Sequence, residues 1–405
     1  MRHPRRSSLR LLLATAVLIP SLLFQPLAAF ACPFCSSQGQ TLGDSVSSAS
    51  MILFGSMQNA RQEDGSFDRG TTDMVIELVI KDHAIRADRM KLTIPRYIPP
   101  TKGEEKYLVF CDVYNGKIDP YRGIAVGPTS PIGTYLKGAI AIKSKDATSR
   151  LKYFFDYLDS KDTVVSSDAY QEFANADYKD FQPFAATINP EKIVAWLNDE
   201  QTPSHRYGLY GSMLGHCGTE KHVPLLRECL NKNQYSPGLD GMLAGYIMLD
   251  RKNGYEYLTQ LLSDPKVDFL KRYAGLRTLR FFQEYRTDIL SQEQVIAAMK
   301  PLFEQDDIAD MPIEDLLKWK KWEMVSAIVP LYDNPKLKQP IIRRAILRFV
   351  LSIPTPDAAT QAFLAKVRQQ SPERVQDVQE GLDLEKESLK NPLPAEKSAT
   401  PPKTP

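Results

Sequence analysis

Residues with the types and spacing for chemistry gather at two places in this 405-residue sequence. The first is Cys32-Pro33-Phe34-Cys35, two thiols separated by two residues. Such a pair exchanges disulfides when a strand delivers it to a helix start that lowers the thiol pKa. Here an apolar stretch, and no predicted strand, comes before it. Covalent haem attachment needs a histidine after the second cysteine, and Ser36 stands there. Two other uses remain: a lipid on Cys32, or a structural disulfide tying this segment to the rest of the chain, with Cys32, Cys35 and Cys111 as candidates. The second place holds His216, Cys217 and His222. A zinc site needs three or four ligands with a supporting shell. These three fall on a predicted turn between helices with no second cluster nearby, and are read as surface turn histidines beside a cysteine of the helical array.

Other catalytic arrangements are scarce. Beyond residue 31 the histidines are His83, His205, His216 and His222, and the sequence has no Gly-x-Ser-x-Gly elbow, no phosphate-cradling glycine loop and no zinc-protease helix. No catalytic residue, metal ligand or cofactor is assigned, and the expectation is a protein that is not an enzyme.

The segment before the first thiol pair reads as an export signal over 1–31. Arg2, Arg5, Arg6 and Arg10 form a basic start, Leu11 to Phe24 an apolar stretch, and Ala29-Phe30-Ala31 a small-x-small cleavage site. About 14 apolar residues interrupted by Pro20 fall short of the ~20 needed to span a bilayer. The expected location is therefore periplasm, cell envelope or outside the cell. Removing 1–31 takes four arginines and no acid, leaving 47 basic against 49 acidic residues. That near-neutrality argues against nucleic acid as a partner, and no later run is long and apolar enough to span a membrane. All five cysteines survive the cut. Cys217 and Cys229 do not suit each other: with helices running up to one and back from about 219, ten residues at ~1.5 Å rise put them roughly 15 Å apart, past the ~7 Å Cα limit for bridging.

The elements that would position these residues change character along the chain. From 50 to 130 the pattern has period two, in "SMILFGSM" (50–57), "DMVIELVI" (73–80), "MKLTI" (90–94), "EKYLVFCDV" (105–113) and "GIAVG" (123–127), separated by Gly, Pro and Asp. In the second run Met74, Ile76, Leu78 and Ile80 are expected on one face, Glu77 and Lys81 on the other. Five such strands predict a small barrel or sandwich. Closely spaced cysteines at an exported N-terminus, then "ILFGSM", then a long strand and a Pro/Gly-rich link into "GEEKYLVFC", resemble the netrin-like module, the OB-type barrel of the tissue inhibitors of metalloproteinases. The resemblance covers roughly 32–130 and implies an OB fold and a protease-inhibitor role through a metal-chelating N-terminal amine. That family opens Cys-x-Cys, and the extra residue in this chain weighs against the chelating role.

From 150 the period becomes helical. "RLKYFFDYLDS" (150–160) places Leu151, Phe154, Phe155 and Leu158 on one stripe. Self-similarity follows. "GLYGSMLG" (208–215) and "GLDGMLAG" (238–245) repeat three glycines thirty residues apart, which predicts faces that admit a close neighbour. "HVPLLREC", "MKPLFEQ" and "IVPLYDN" share Pro-Leu at a second helix type, and "LLSDPKVDFLKRYAGLRTLRFF" matches "LYDNPKLKQPIIRRAILRFV". Units begin near 191, 220, 254, 294 and 323, with a last helix from about 356. A two-helix period of 30–40 residues is the mark of a helical solenoid, and "LLSDPxxxxxKRYAGLRTL" resembles HEAT-type repeats of the short bacterial kind.

The predicted organisation is a signal peptide (1–31), an OB/netrin-like β module (32–135), a helical linker region (136–190), a HEAT-like α-solenoid (191–370) and a disordered tail (385–405). Stacked repeats align equivalent helices, so Lys271, Arg272, Arg277, Arg280, Lys318, Lys320, Lys321, Arg343, Arg344 and Arg348, interleaved with Trp319 and Trp322, are candidates for a basic ridge facing an acidic protein, polysaccharide or lipid headgroup. The functional expectation is an exported, non-enzymatic binding or scaffold protein. A thiol-disulfide redox protein using Cys32 and Cys35, and a netrin-like protease inhibitor, are the alternatives.

Overall fold

Five strands and then a long series of helices make up the protein in the computed structural model, which describes residues 34, 39–63, 69–100, 104–232 and 237–390. The predicted signal peptide, Cys32, Cys35 and 391–405 lie outside the described residues. The strands are β1 (Met51–Gln62), β2 (Gly70–Lys81), β3 (Lys91–Ile94), β4 (Lys106–Tyr114) and β5 (Lys117–Val126). All pairings are antiparallel, in the order β3-β2-β1-β4-β5.

The expected closed barrel is not formed, because β3 and β5 remain the two edges of an open sheet. Both edges are poor templates: β3 has four residues, and β5 carries Pro120, which has no N–H to offer, beside a register shift at Phe110/Cys111.

One expectation about β2 is corrected by its register. Phe54 pairs with Leu78 while the next residue, Gly55, pairs with Ile76, so Glu77 is an extra residue; Ile80 is skipped in the same way between Ile52 and Leu53. Bulges of this kind flip the alternation. Met74 and Ile76 therefore face one side, with Met51, Leu53, Leu92, Ile94, Val109 and Cys111. Leu78 and Ile80 face the other, with Ile52, Phe54, Leu108 and Phe110. Gly55 is required here: a Cβ would stand 1.9 Å from the Val75 carbonyl oxygen.

Helices cover only the second of these faces. The helices nearest the sheet in the shared core are α1 (Leu42–Ser48), α2 (Ile132–Ile142), α3 (Ala147–Phe155), α4 (Thr163–Ala174) and α5 (Tyr178–Ala185). Leu151, Phe154, Phe155 and Leu158 are all buried, as the stripe predicted. The stretch 136–190 is not a linker: its side chains belong to one continuous core running from the sheet into the helices that follow. The short α1 is held at both ends. Asp168 of α4 accepts the Leu42 N–H at 2.6 Å and the Tyr135 hydroxyl at 2.7 Å, while Lys81 Nζ donates to the Val46 and Ala49 carbonyls that end the helix.

Paired helices follow: α6 (Pro190–Asn198) with α7 (Tyr207–Cys217), α8 (Val223–Asn231) with α9 (Leu239–Leu249), α10 (Arg251–Ser263) with α11 (Phe269–Tyr285), α12 (Gln292–Met299) with α13 (Asp310–Lys318), α14 (Val325–Ile328) with α15 (Pro340–Leu351), and α16 (Ala358–Gln370) with α17 (Pro372–Lys390). The two glycine-rich segments, α7 and α9, pack on each other. Cβ atoms at Gly241 and Gly245 would sit 2.0 and 2.1 Å from the Gly208 and Gly211 carbonyl oxygens, so the backbones cross nearly in contact. The tail boundary is also corrected, since 385–390 continue α17. Val375, Val378 and Leu382 are buried in the second core, with the side chains of α15, and a sparse i, i+3, i+7 stripe suffices because Glu385 is paired with Arg348.

Candidate functional site

The uncovered face of the sheet holds a cleft of about 490 Å³. Its floor is set by strand alternation: Leu53, Met74, Val109 and Cys111 come up from β1, β2 and β4. Five strands spaced about 4.8 Å apart would put β3 and β5 roughly 19 Å apart on a flat sheet. Residues from both edges line the same cleft, so the sheet curls strongly and brings its edges toward each other. The 84–86 turn touches β5 and occupies the gap that a β3–β5 pairing would close.

That turn is unusual in its backbone. Ala87 (φ 48°) and Asp88 (φ 55°) lie one after the other in the left-handed region, where each non-glycine residue costs about 1–2 kcal/mol. Arg86 compensates. Its guanidinium is buried, donates to both carboxylate oxygens of Asp82 at 2.8 and 2.7 Å and to the Arg89 carbonyl at 3.0 Å. Hydrogen bonding from Arg86 draws the Asp82 carboxyl down to about 2. The clamped turn presents Ile85 and Arg89 to the cleft. Backbone strain held in place by surrounding contacts gathers at ligand sites.

Charge is confined to the rim. Arg89, Lys91 and Lys117 line the cleft, and none of the lining side chains is a carboxylate. Arg89 is braced by its Nε on the Arg86 carbonyl and by Nη2 on the Ile85 carbonyl, both at 2.8 Å. Lys91 Nζ stands 3.3 Å from Asp73, a carboxylate on β2 that also accepts from Arg61, Asn59 and Thr93 and is held well below the usual range by them. Lys117 is exposed at the start of β5. The floor is chemically quiet: burial pushes the Cys111 thiol up to about 12, far from the thiolate a nucleophile needs.

Of the residues the sequence singled out, Cys111 is a free, buried thiol. It sits on the cleft face. Phe34, inside the Cys-x-x-Cys tetrad, is buried on the helical side, 4.6 Å from Phe281 and with its carbonyl oxygen against Gly208. Cys217 and Cys229 are also free. His216 and His222 are not the surface residues expected. His216 lies between the Ser212 carbonyl, 2.7 Å from Nδ1, and the Tyr178 hydroxyl, 2.8 Å from Nε2, and burial brings it down to about 4. His222 caps its own turn by accepting the Thr219 N–H at 2.9 Å.

The basic ridge is largely absorbed into contacts between helices. Arg272 is buried and pairs with Asp307 and Gln305. Arg277 reaches Asp240 of α9, Arg280 reaches Asp315 of α13, and Arg348 joins Glu314 of α13 to Glu385 of α17. Lys321 donates to Gln292, and Arg343 to the Tyr332 carbonyl. Lys271 is half-buried; Lys318, Lys320 and Arg344 are exposed. Trp322 packs against Phe349, and Trp319 is half-buried against the main core. These cations act chiefly as cross-ties between successive helices.

Sequence reasoning missed Arg86, Arg89, Lys91 and Lys117. The signal was present in "HAIRADRMKL" (83–92), where three cations crowd a short connection between strands. No protein-family model matches the sequence, and no curated protein or solved structure shows significant similarity to it.

Proposed function

We propose that the chain is an exported, non-enzymatic binding protein in which an OB-like module carries the ligand site and a HEAT-like array of helix pairs supports it. The observation that carries this reading is the cleft at the gap between β3 and β5. An OB barrel is a five-stranded, partly open structure, and the pairing missing from the ring here is the one the clamped 84–86 turn replaces. The netrin-like resemblance is compatible with that strand order. The six successive helix pairs, with cross-ties between partners 34 to 37 residues apart, support the HEAT-like reading. The burial of Phe34 favours the Cys32–Cys35 tetrad as an anchor for the exported chain's N-terminus over a redox centre or an inhibitory amine.

The test uses the neutral fluorophore Nile red on the purified full chain. Ile118 on β5 lines the cleft, and Ile118→Trp would fill it. Wild type is expected to enhance the dye's fluorescence saturably, and Ile118→Trp, with an unchanged unfolding midpoint, to lose most of that signal. Equal binding by both proteins, or none by wild type, would remove the cleft as the ligand site.

A further inference from the structure

The chemistry of the cleft narrows its ligand, and this step rests on the binding reading above. The floor offers only apolar contacts and a protonated thiol that cannot compete as an anion. The rim offers two cations from separate elements: Arg89, just before β3, and Lys117 at the start of β5. One of them is positioned before any ligand arrives. Arg89 is tied to the backbone through Nε and Nη2, so its Nη1 edge is oriented without further loss of side-chain freedom. Lys91 is not one of them: its ammonium pairs with Asp73, which adjoins the floor residue Met74 on β2 and so stands on the opposite face of the sheet. Lys117 has no ion pair among the described residues. An apolar pocket edged by cations, with no carboxylate among its lining side chains, is complementary to a molecule with an apolar body and one anionic end, and orientation would come from the few polar groups at the rim.

From this geometry we infer that the cleft binds a compact amphipathic carboxylate, with its apolar body on Leu53, Met74 and Val109 and its carboxylate between Arg89 and Lys117. A volume near 490 Å³ lies within the range of small-molecule sites, too small for a folded domain. Arg86 is a positioning residue: it touches no ligand and acts by holding the Ala87–Asp88 turn that aims Arg89.

Decanoate and its neutral counterpart decanamide, each titrated against Nile red bound to the full chain, separate the possibilities. Decanoate is expected to displace the dye at least tenfold more tightly than decanamide, the ratio falling toward one in the double variant Arg89→Gln/Lys117→Gln and shrinking with added salt. Decanamide affinity should be unchanged in that variant, which shows that the apolar floor is intact. Arg86→Lys should lower decanoate affinity and leave decanamide untouched. Equal affinities for the two compounds, or a preference for decanamide, would overturn the anion assignment and leave the cleft standing. Displacement by neither compound would also overturn it. Loss of Nile red binding in wild type is the separate failure of the binding reading itself.

Discussion

Glu172 is the residue whose surroundings make the sharpest demand on conditions. It sits one turn after Asp168 on α4, next to Thr41 and within the field of Asp44, with Arg150 as the cation in reach, and burial pushes its carboxyl up to about 7. Asp168 beside it is raised for the same reason. The folded protein therefore holds a proton that the unfolded chain gives up near the ordinary glutamate value. The stability this proton contributes is complete below about pH 4.5 and is lost as the pH rises through about 7. Chemical unfolding of wild type should show falling stability between pH 5 and 8, by no more than about 3 kcal/mol from this group. Glu172→Gln should flatten that slope and be the more stable protein at pH 8; a slope unchanged in the variant would assign the effect elsewhere. Cys111 shows the opposite case, a titratable group whose shift leaves it inert across that whole range.

At the scale of elements, the decisive feature is the crossing of α7 and α9. In an isolated helix Gly→Ala gains about 1 kcal/mol. At Gly245 the sign should reverse, because the added Cβ meets a backbone oxygen of α7, which cannot rotate away. Gly245→Ala is expected to destabilise by roughly 2 kcal/mol or more, read as a shift in urea midpoint; a neutral or stabilising result would mean the helices separate at little cost. The glycine spacing made this contact legible in the sequence, since two copies of one pattern thirty residues apart suggest like helices in like places. The strand bulges were not legible. Nothing in "DMVIELVI" marks Glu77 as an extra residue; that follows from pairing with β1, where Gly55 lets Val75 come close. The cations of the helices were visible as charge but not as partners, because an arginine's carboxylate lies 34 to 37 residues away and only the packing of the helices decides which one it meets. The last helix was hidden for a related reason: three apolar residues in a polar stretch read as solvated until α15 is there to receive them.

For the whole molecule, a run of strands followed by helices was readable, although the helices begin at Ile132 and not at 150, whereas the unity of the fold was not. Composition suggested a β module and a solenoid joined by a linker, yet buried side chains connect the sheet through α2–α5 to the first helix pairs without interruption. β1 contributes to both faces of the sheet, so the cleft face cannot come apart while the helical face stays intact. Thiol labelling followed by peptide mass spectrometry along a urea series should therefore expose Cys111 on the sheet and Cys229 on α8 at one midpoint, together with loss of helical circular dichroism. Earlier exposure of Cys111 would establish the sheet as an independent folding unit. The cleft itself could not be read from the sequence, because it depends on how far an open sheet curls.

The seat of Phe34 also bears on the order in which the chain can assemble. Its ring rests on Phe281, so a residue near the start of the sequence waits for a partner almost 250 positions later. Phe34 is thus fixed only once α11 is in place, and the core it completes cannot form on a half-synthesised polypeptide. Folding intermediates would carry an unseated Phe34 and an open seat between α7 and α11, a state that invites chaperone capture before the final docking.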